Sequence, residues 1–249
     1  MTDTASCGAH ALRSPRFIHL RLHTEYSIAD GIVQIDQALA AAADDGMPAL
    51  GISDLANLFG MVKFYKGARG KGMKPIIGVD AWIENERERD KPSRVLLICR
   101  NREGYGQLCE LLTRAWMENK SHGRAMMRRA WFEDGAASGL LCLSGAQAGD
   151  VGQALASGHA ELAEKLARDW SRLFPDAYYV ELQRAGQPGA EAYVRRALRL
   201  AAQLGLPVVA THPVQFLRRE DFEAHEARVC IAEGYVLADK RRPRVFTAE

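Results

Sequence analysis

No C-x-x-C pair occurs in the sequence. Its five cysteines, Cys7, Cys99, Cys109, Cys142 and Cys230, are scattered and odd in number, which argues against a zinc ribbon or a disulfide framework. Cys99, Cys142 and Cys230 lie in apolar runs, where a free thiol acts as a small hydrophobe. A reducing, cytoplasmic compartment is expected. No run of about 18 apolar residues exists, which excludes a helical membrane span. Met1–Ser14 lacks the basic and apolar regions of a secretory signal and reads as a frayed tail. No charge sign dominates: 33 Lys and Arg face 31 Asp and Glu, for a net charge of +2. The field of the whole chain therefore gives no argument for nucleic acid. No G-x-G-x-x-G or G-K-[ST] loop follows an apolar run, which counts against a nucleotide-binding fold.

What is present is enough apolar sequence for a large core. The 249 residues are 47% hydrophobic and 26% charged, as one large α/β domain or two ordinary ones would be. Seven short apolar runs read as strands: Phe17–His23, Pro48–Asp54, Lys74–Ile83, Arg94–Cys99, Gly139–Ser144, Ala177–Leu182 and Leu206–Thr211. Between them, Val33–Asp45, Leu58–Ala68, Gly104–Trp116, Val151–Phe174, Gly189–Gly205 and Glu220–Glu233 carry helical spacing. Gly158 is a candidate break within the long fourth helix. Glu84–Ser93 reads as a solvated connection. Met117–Ala137 holds Lys120, Arg124, Arg128 and Arg129 and two methionines that look exposed. It reads as a mobile loop with a solvated charged face, rather than as a partner or nucleic-acid surface.

Continuous apolar strands alternating with helices predict parallel pairing, in a barrel or a doubly wound sheet. Polar residues collect at strand ends, at His23, Asp54, Asp80, Ser144, Thr211 and His212. In a barrel such ends meet at one mouth, so a seven-stranded barrel over residues 15–234 is expected. Residues 235–249 read as a connector. The ending Phe246-Thr247-Ala248-Glu249 looks like chain that continues into a further domain.

His23, Asp54, Asp80 and His212 come from four strand ends. Such a set could hold Zn²⁺, Mn²⁺ or Mg²⁺ and activate water for phosphoester hydrolysis. Equally, the aspartates could accept loop N–H groups or pair with arginine, leaving the histidines as rim residues. Spacing alone leaves both readings open.

Four separated blocks narrow the choice. HLRLHTEYSIADG, PALGISDLANLFGMVKFYKGARGKGMKPIIGVD, LCLSGAQAGDVGQAL and LPVVATHPVQFLRREDFEAHEARVCIAEGYVL occur in this order. From about Phe17 onward the chain resembles the polymerase-and-histidinol-phosphatase (PHP) domain of bacterial replicative DNA polymerase III alpha subunits. The resemblance implies a distorted seven-stranded (β/α) barrel of the PHP type. The metal-binding form of that family has H-x-H where this sequence has Arg21 and His23, and D-H where it has Asp54 and Leu55. A family Glu falls on Asp80, a His on Arg94, a Cys or His near Ala146, and a D-x-H on Pro213 and Gln215. Only His23 and Asp54 match, with Asp80 a shorter equivalent. Leu55, Pro213 and Gln215 supply no strong ligand, and Arg21 and Arg94 would repel a divalent cation. The resemblance thus implies a vestigial site, with His23, Asp54, Asp80 and His212 as candidate residual ligands. A sharper expectation is that Arg21 and Arg94 stand in for lost metal charge and neutralise Asp54 and Asp80.

The resemblance also implies a role. The module would be catalytically inactive, belong to a DNA-directed DNA polymerase and dock the proofreading exonuclease subunit. No cofactor is expected here, Mg²⁺ serving the polymerase in the full-length subunit. DNA would be met through that full-length polymerase, with no membrane partner. The alternative is an active metal-dependent phosphoesterase or 3′–5′ exonuclease.

Overall fold

The first apolar run does not become a regular strand. The computed structural model describes residues 17–86, 88–242, 244, 247 and 248. In it Phe17–His23 makes one isolated bridge, Leu22 to Val214, and Thr24 follows with one to Val33. The segment is nonetheless gripped on both sides. Gly51 N donates to His19 O at 2.8 Å and Ser53 N to Leu22 O at 2.9 Å, while His23 N donates to Val214 O at 2.8 Å. A side chain interrupts the ladder, because Leu22 N donates to Ser53 Oγ at 3.0 Å. The Met1–Ser14 tail and residues 246 and 249 of the predicted ending lie outside the described residues.

Helix α1, Ile35–Asp44, buries Ile35, Ala38, Leu39 and Ala42, the spacing of one helical face. Strand β1, Ala49–Ile52, is buried throughout. Helix α2, Met61–Gly70, buries Phe64 and Ala68. It leads to β2, Lys74–Ile83, which pairs in parallel with β1. Strand β3, Ser93–Cys99, follows. Helix α3, Arg102–Glu118, is capped by Asn101, whose Oδ1 accepts Gly104 N at 2.8 Å.

The stretch Met117–Ala137 corrects the expectation of a mobile loop. It forms β4, Lys120–Ser121, β5, Arg124–Met127, and a 3₁₀ turn at Arg129–Phe132. Met126, Met127, Trp131 and Phe132 are buried. Phe132 packs against Trp170 and Phe174, with ring centroids 5.8 and 5.4 Å away. The arginines misled because they lie over aromatic faces at the rim of this apolar layer. Arg124 sits 5.2 Å from the Trp82 ring and Arg128 5.8 Å from Trp131.

The rest of the chain follows the predicted order. It comprises β6, Leu140–Leu143, then α4, Asp150–Ala156, and α5, Ala160–Leu173. Next come β7, Tyr178–Gln183, α6, Ala190–Leu204, β8, Val208–Thr211, and α7, Phe222–Glu233. Gly158 does divide α4 from α5, with φ of 80°.

The strands run in the order β4-β5-β2-β3-β6-β7-β8, with β1 beside β2. The barrel type stands, but strict parallel alternation does not. Strand β3 is antiparallel to both β2 and β6. The short Glu84–Ser93 connection holds no helix among its described residues to carry the chain back across the sheet, so β3 returns in the opposite direction. Regular ladders do not close the sheet either. Between β1 and the chain after β8 stands only the irregular first segment.

Alternation along the strands decides what faces the barrel interior. In β3, Val95 and Leu97 join the core under α3, while Leu96 and Ile98 face inward with Leu143, Leu20 and Val209. In β2 the same parity buries Val79, Ala81 and Ile83 outward and leaves Asp80 and Trp82 pointing inward.

Candidate functional site

Inward parity gathers charged side chains at one end of the barrel. A cavity of about 440 Å³ there is lined by Arg21, His23, Asp80, Arg94, Pro213 and Gln215, among others. Six of the predicted positions therefore do converge. Three do not. Asp54 and Leu55 stay out of the lining. His212, one residue out of phase with Pro213, turns away and packs against His19, with ring centroids 6.1 Å apart. It lines separate grooves with His19, which removes it from the candidate ligands. Ala146 is buried beside the cavity, next to Gly145 in its wall.

Asp80 is the centre of the cluster and has no solvent exposure. Its Oδ2 accepts Arg21 Nη1 and, at 3.1 Å, Arg94 Nη1. His23 Nε2 lies 3.1 Å from the same oxygen. On the other side of its ring, His23 Nδ1 is 2.9 Å from Asp30 Oδ1. Arg94 Nη2 donates to Asp30 Oδ2 at 3.0 Å. Arg94 also stacks on Trp82, 4.3 Å from the ring centroid. Gly145, with φ of 77°, lets its loop pack closely on the Arg94 backbone, since a Cβ there would sit 2.0 Å from Arg94 O.

Arg21 reaches across to Glu181, with Nε to Oε1 at 2.9 Å and Nη2 to Oε2 at 3.0 Å. Thr211 Oγ1 donates to Glu181 Oε1, and Gln183 Nε2 donates to the same oxygen at 3.0 Å. Ser144 Oγ accepts Glu181 N at 2.9 Å and fixes the strand beneath it.

Asp30 and Glu181 are the members that sequence reasoning missed. Glu181 carried a readable signal, a lone carboxylate inside the apolar run AYYVEL. Asp30 sits in an ordinary Asp-Gly turn. Its role depends on Gly31, where a Cβ would meet Thr24 O at 2.4 Å.

The cluster balances its charge. Burial opposes charging His23, but Asp30 and Asp80 outweigh it and raise the imidazole to about 9. Burial also opposes ionising Asp80, and Arg21 and Arg94 overcome it to hold the carboxyl down at about 2. Asp30 is lowered likewise, against burial, by His23 and Arg94. Arg21, Arg94 and protonated His23 thus face Asp30, Asp80 and Glu181.

Asp54 belongs elsewhere. It accepts Thr24 N at 2.6 Å, Thr24 Oγ1 at 2.9 Å and Ser27 Oγ at 2.7 Å. Burial is the largest influence on it and raises its pKa. The expected neutralisation by arginine holds for Asp80 and fails for Asp54, which ties the turn at Glu25–Ser27 to the end of β1.

These residues do not fit the metal centre that the resemblance associates with an active site. A histidine ligand must offer a lone pair, yet His23 sits between the Asp30 and Asp80 carboxylates, which favour its protonated form. The Asp80 oxygen nearest His23 is occupied by two guanidiniums. Among the described residues no group of three or more His, Cys, Asp or Glu is arranged to hold a metal ion.

Comparison with known proteins agrees with the fold and the four blocks. The family described as "PHP domain" matches residues 19–185. The DNA polymerase III subunit alpha of Neisseria meningitidis is 52% identical over 95% of this chain and 21% of its own length. The subunit of the same name from Pseudomonas aeruginosa is 45% identical over 93% of this chain and 20% of its own. That from Escherichia coli is 39% identical over 96% and 20%. The chain thus spans about a fifth of the length of the curated relatives it matches. Among solved structures, an amidohydrolase from Chromobacterium violaceum aligns with TM-score 0.52 at 14% identity, over 85% of this chain and 96% of that one. At that identity the likeness concerns the fold alone.

Proposed function

The chain belongs to the PHP domain family, and on that premise we propose that it is the non-catalytic PHP module of a DNA polymerase III alpha subunit. One observation carries the reading: the guanidiniums of Arg21 and Arg94 both bind Asp80 Oδ2, which places two fixed positive charges where a hydrolytic member of the family would hold a metal cation. Buried ion pairs of this kind are costly to open, because each partner removed strands the other in low dielectric. The cluster fastens the first segment, β2, β3 and β7 to one another, so the mouth is a structural clasp.

In this reading the nucleotidyltransferase activity, its Mg²⁺ and its hold on DNA belong to the rest of the subunit. The module serves as a scaffold that docks the proofreading exonuclease in the bacterial cytoplasm. The names and identities of the relatives support the placement in an alpha subunit. Among the described residues no helix is long and apolar enough to cross a membrane.

The test is metal content of the purified protein, with turnover of a phosphomonoester and of 3′-recessed DNA under added Mn²⁺ or Zn²⁺. The expected result is no stoichiometric metal and no turnover. Bound metal with turnover abolished by Asp80→Asn overturns the inactive reading in favour of a phosphoesterase or exonuclease. Titration of the exonuclease subunit onto the chain tests docking, and absence of binding overturns that part.

A further inference from the structure

Between Asp54 and Asp80 the sequence holds no acidic residue, yet it holds Lys63, Lys66, Arg69, Lys71 and Lys74. The near-neutral charge of the whole chain conceals this local excess. The structure places the stretch on one side of the barrel. Helix α2 shows Val62, Tyr65, Lys66 and Arg69 on a single exposed face, at helical spacing. Phe59 precedes the helix and is 66% exposed, and Tyr65 is 47% exposed. Lys71, at the end of α2, and Lys74, at the start of β2, are both exposed.

The cations on this strip are available. Of the acids on the neighbouring α1, only Asp36 reaches α2, and it is held by Lys63 at 3.2 Å. Among the described residues Lys66, Arg69, Lys71 and Lys74 make no ion pair. Phe59 and Tyr65 are exposed aromatics at the N-terminal end of these charges. Isolated exposed apolar residues need no explanation, but rings beside uncompensated cations match the chemistry of a single strand, phosphates outside and bases stacking.

We propose that the strip Phe59–Lys74 binds single-stranded DNA, with Lys66, Arg69, Lys71 and Lys74 along the phosphates and Phe59 and Tyr65 beneath bases. The choice of DNA rests on the proposed place in a replicase. The surface itself does not depend on the barrel mouth. No bases are read, so binding is indifferent to sequence.

Fluorescence anisotropy of a labelled oligo(dT) with the whole chain tests this. Binding is expected at low salt. It should fall with the logarithm of salt with a slope of about −3, the value for four single-strand phosphate contacts. The Lys66→Gln, Arg69→Gln, Lys71→Gln, Lys74→Gln variant should flatten that slope and keep the thermal midpoint. Phe59→Ala with Tyr65→Ala should weaken oligo(dT) binding roughly fivefold or more, through lost stacking, and leave duplex binding unchanged. No binding at 50 mM salt, on the order of the low end where such contacts are strongest, overturns the proposal. So does binding that survives the four-Gln variant, or equal binding to anionic phosphatidylserine vesicles. None of these outcomes bears on metal uptake or phosphoester turnover, which report on the mouth.

Discussion

Arg21 grips Glu181 through two parallel hydrogen bonds, at 2.9 and 3.0 Å, across 160 residues of sequence. The same guanidinium reaches Asp80 with its remaining nitrogen. Three elements, the first segment, β2 and β7, therefore meet on one planar cation. Only arginine offers that planar fork, whereas a lysine ammonium is a point charge that cannot match a carboxylate bidentately.

Arg21→Ala leaves Asp80 and Glu181 buried beside fewer cations. The expected loss is about 3–5 kcal/mol of stability, read as a lowered midpoint in urea or thermal denaturation. Arg21→Lys should fall between the variant and the parent. An unchanged midpoint in Arg21→Ala would remove the clasp from this account.

Stability should form a plateau in pH. Asp80 titrates near 3.8 when unfolded and about 2 when folded. Its contribution is therefore present above 3.8 and is lost as pH falls toward 2. Asp30 is lowered too and adds to the same acid limb. His23 moves the other way, from 6.5 to about 9, so its contribution is full below 6.5 and is lost as pH rises through 9. Urea midpoints at acidic, mildly acidic and alkaline pH check both limbs. His23→Gln should flatten the alkaline one.

Asp54 has a separate duty. Asp54→Ala strips the acceptor from Thr24 N, Thr24 Oγ1 and Ser27 Oγ. A cost of about 2 kcal/mol or more is expected from buried donors left unpaired. Asp54→Asn keeps one acceptor oxygen and should cost less. Denaturation of the two variants side by side gives the comparison.

The Met117–Ala137 stretch predicts a core effect where its sequence suggests a loop. Phe132 is 1% exposed, between Trp170 and Phe174. Phe132→Ala should destabilise by about 3–5 kcal/mol, the range for a large ring removed from a packed core. A loss near zero would return this stretch to the surface.

Much of the architecture was legible because it is local. The sequence of Lys74–Ile83 predicts a strand with the bounds that the structure has, since a run of apolar residues between glycine and charge needs no distant partner to be recognised. Phe17–His23 was harder. Its residues carry strand chemistry, but Ser53 Oγ takes the place of a ladder carbonyl, and no single-segment pattern announces that. The direction of β3 was also hidden, because periodicity records which face is buried and not which way the chain runs.

At the site, the sequence by itself supplied carboxylates and histidines at strand ends, and the family resemblance put Arg21 and Arg94 where ligands would stand. The tertiary structure alone decided the pairing. Arginine went to Asp80 and not to Asp54, His212 turned away by one step of strand parity, and Asp30 and Glu181 completed the charge balance. The reason is physical. Residue type and periodicity are properties of neighbours in the chain, whereas a buried charge is stabilised by whatever opposite charge lies within a few ångströms, and folding sets that distance.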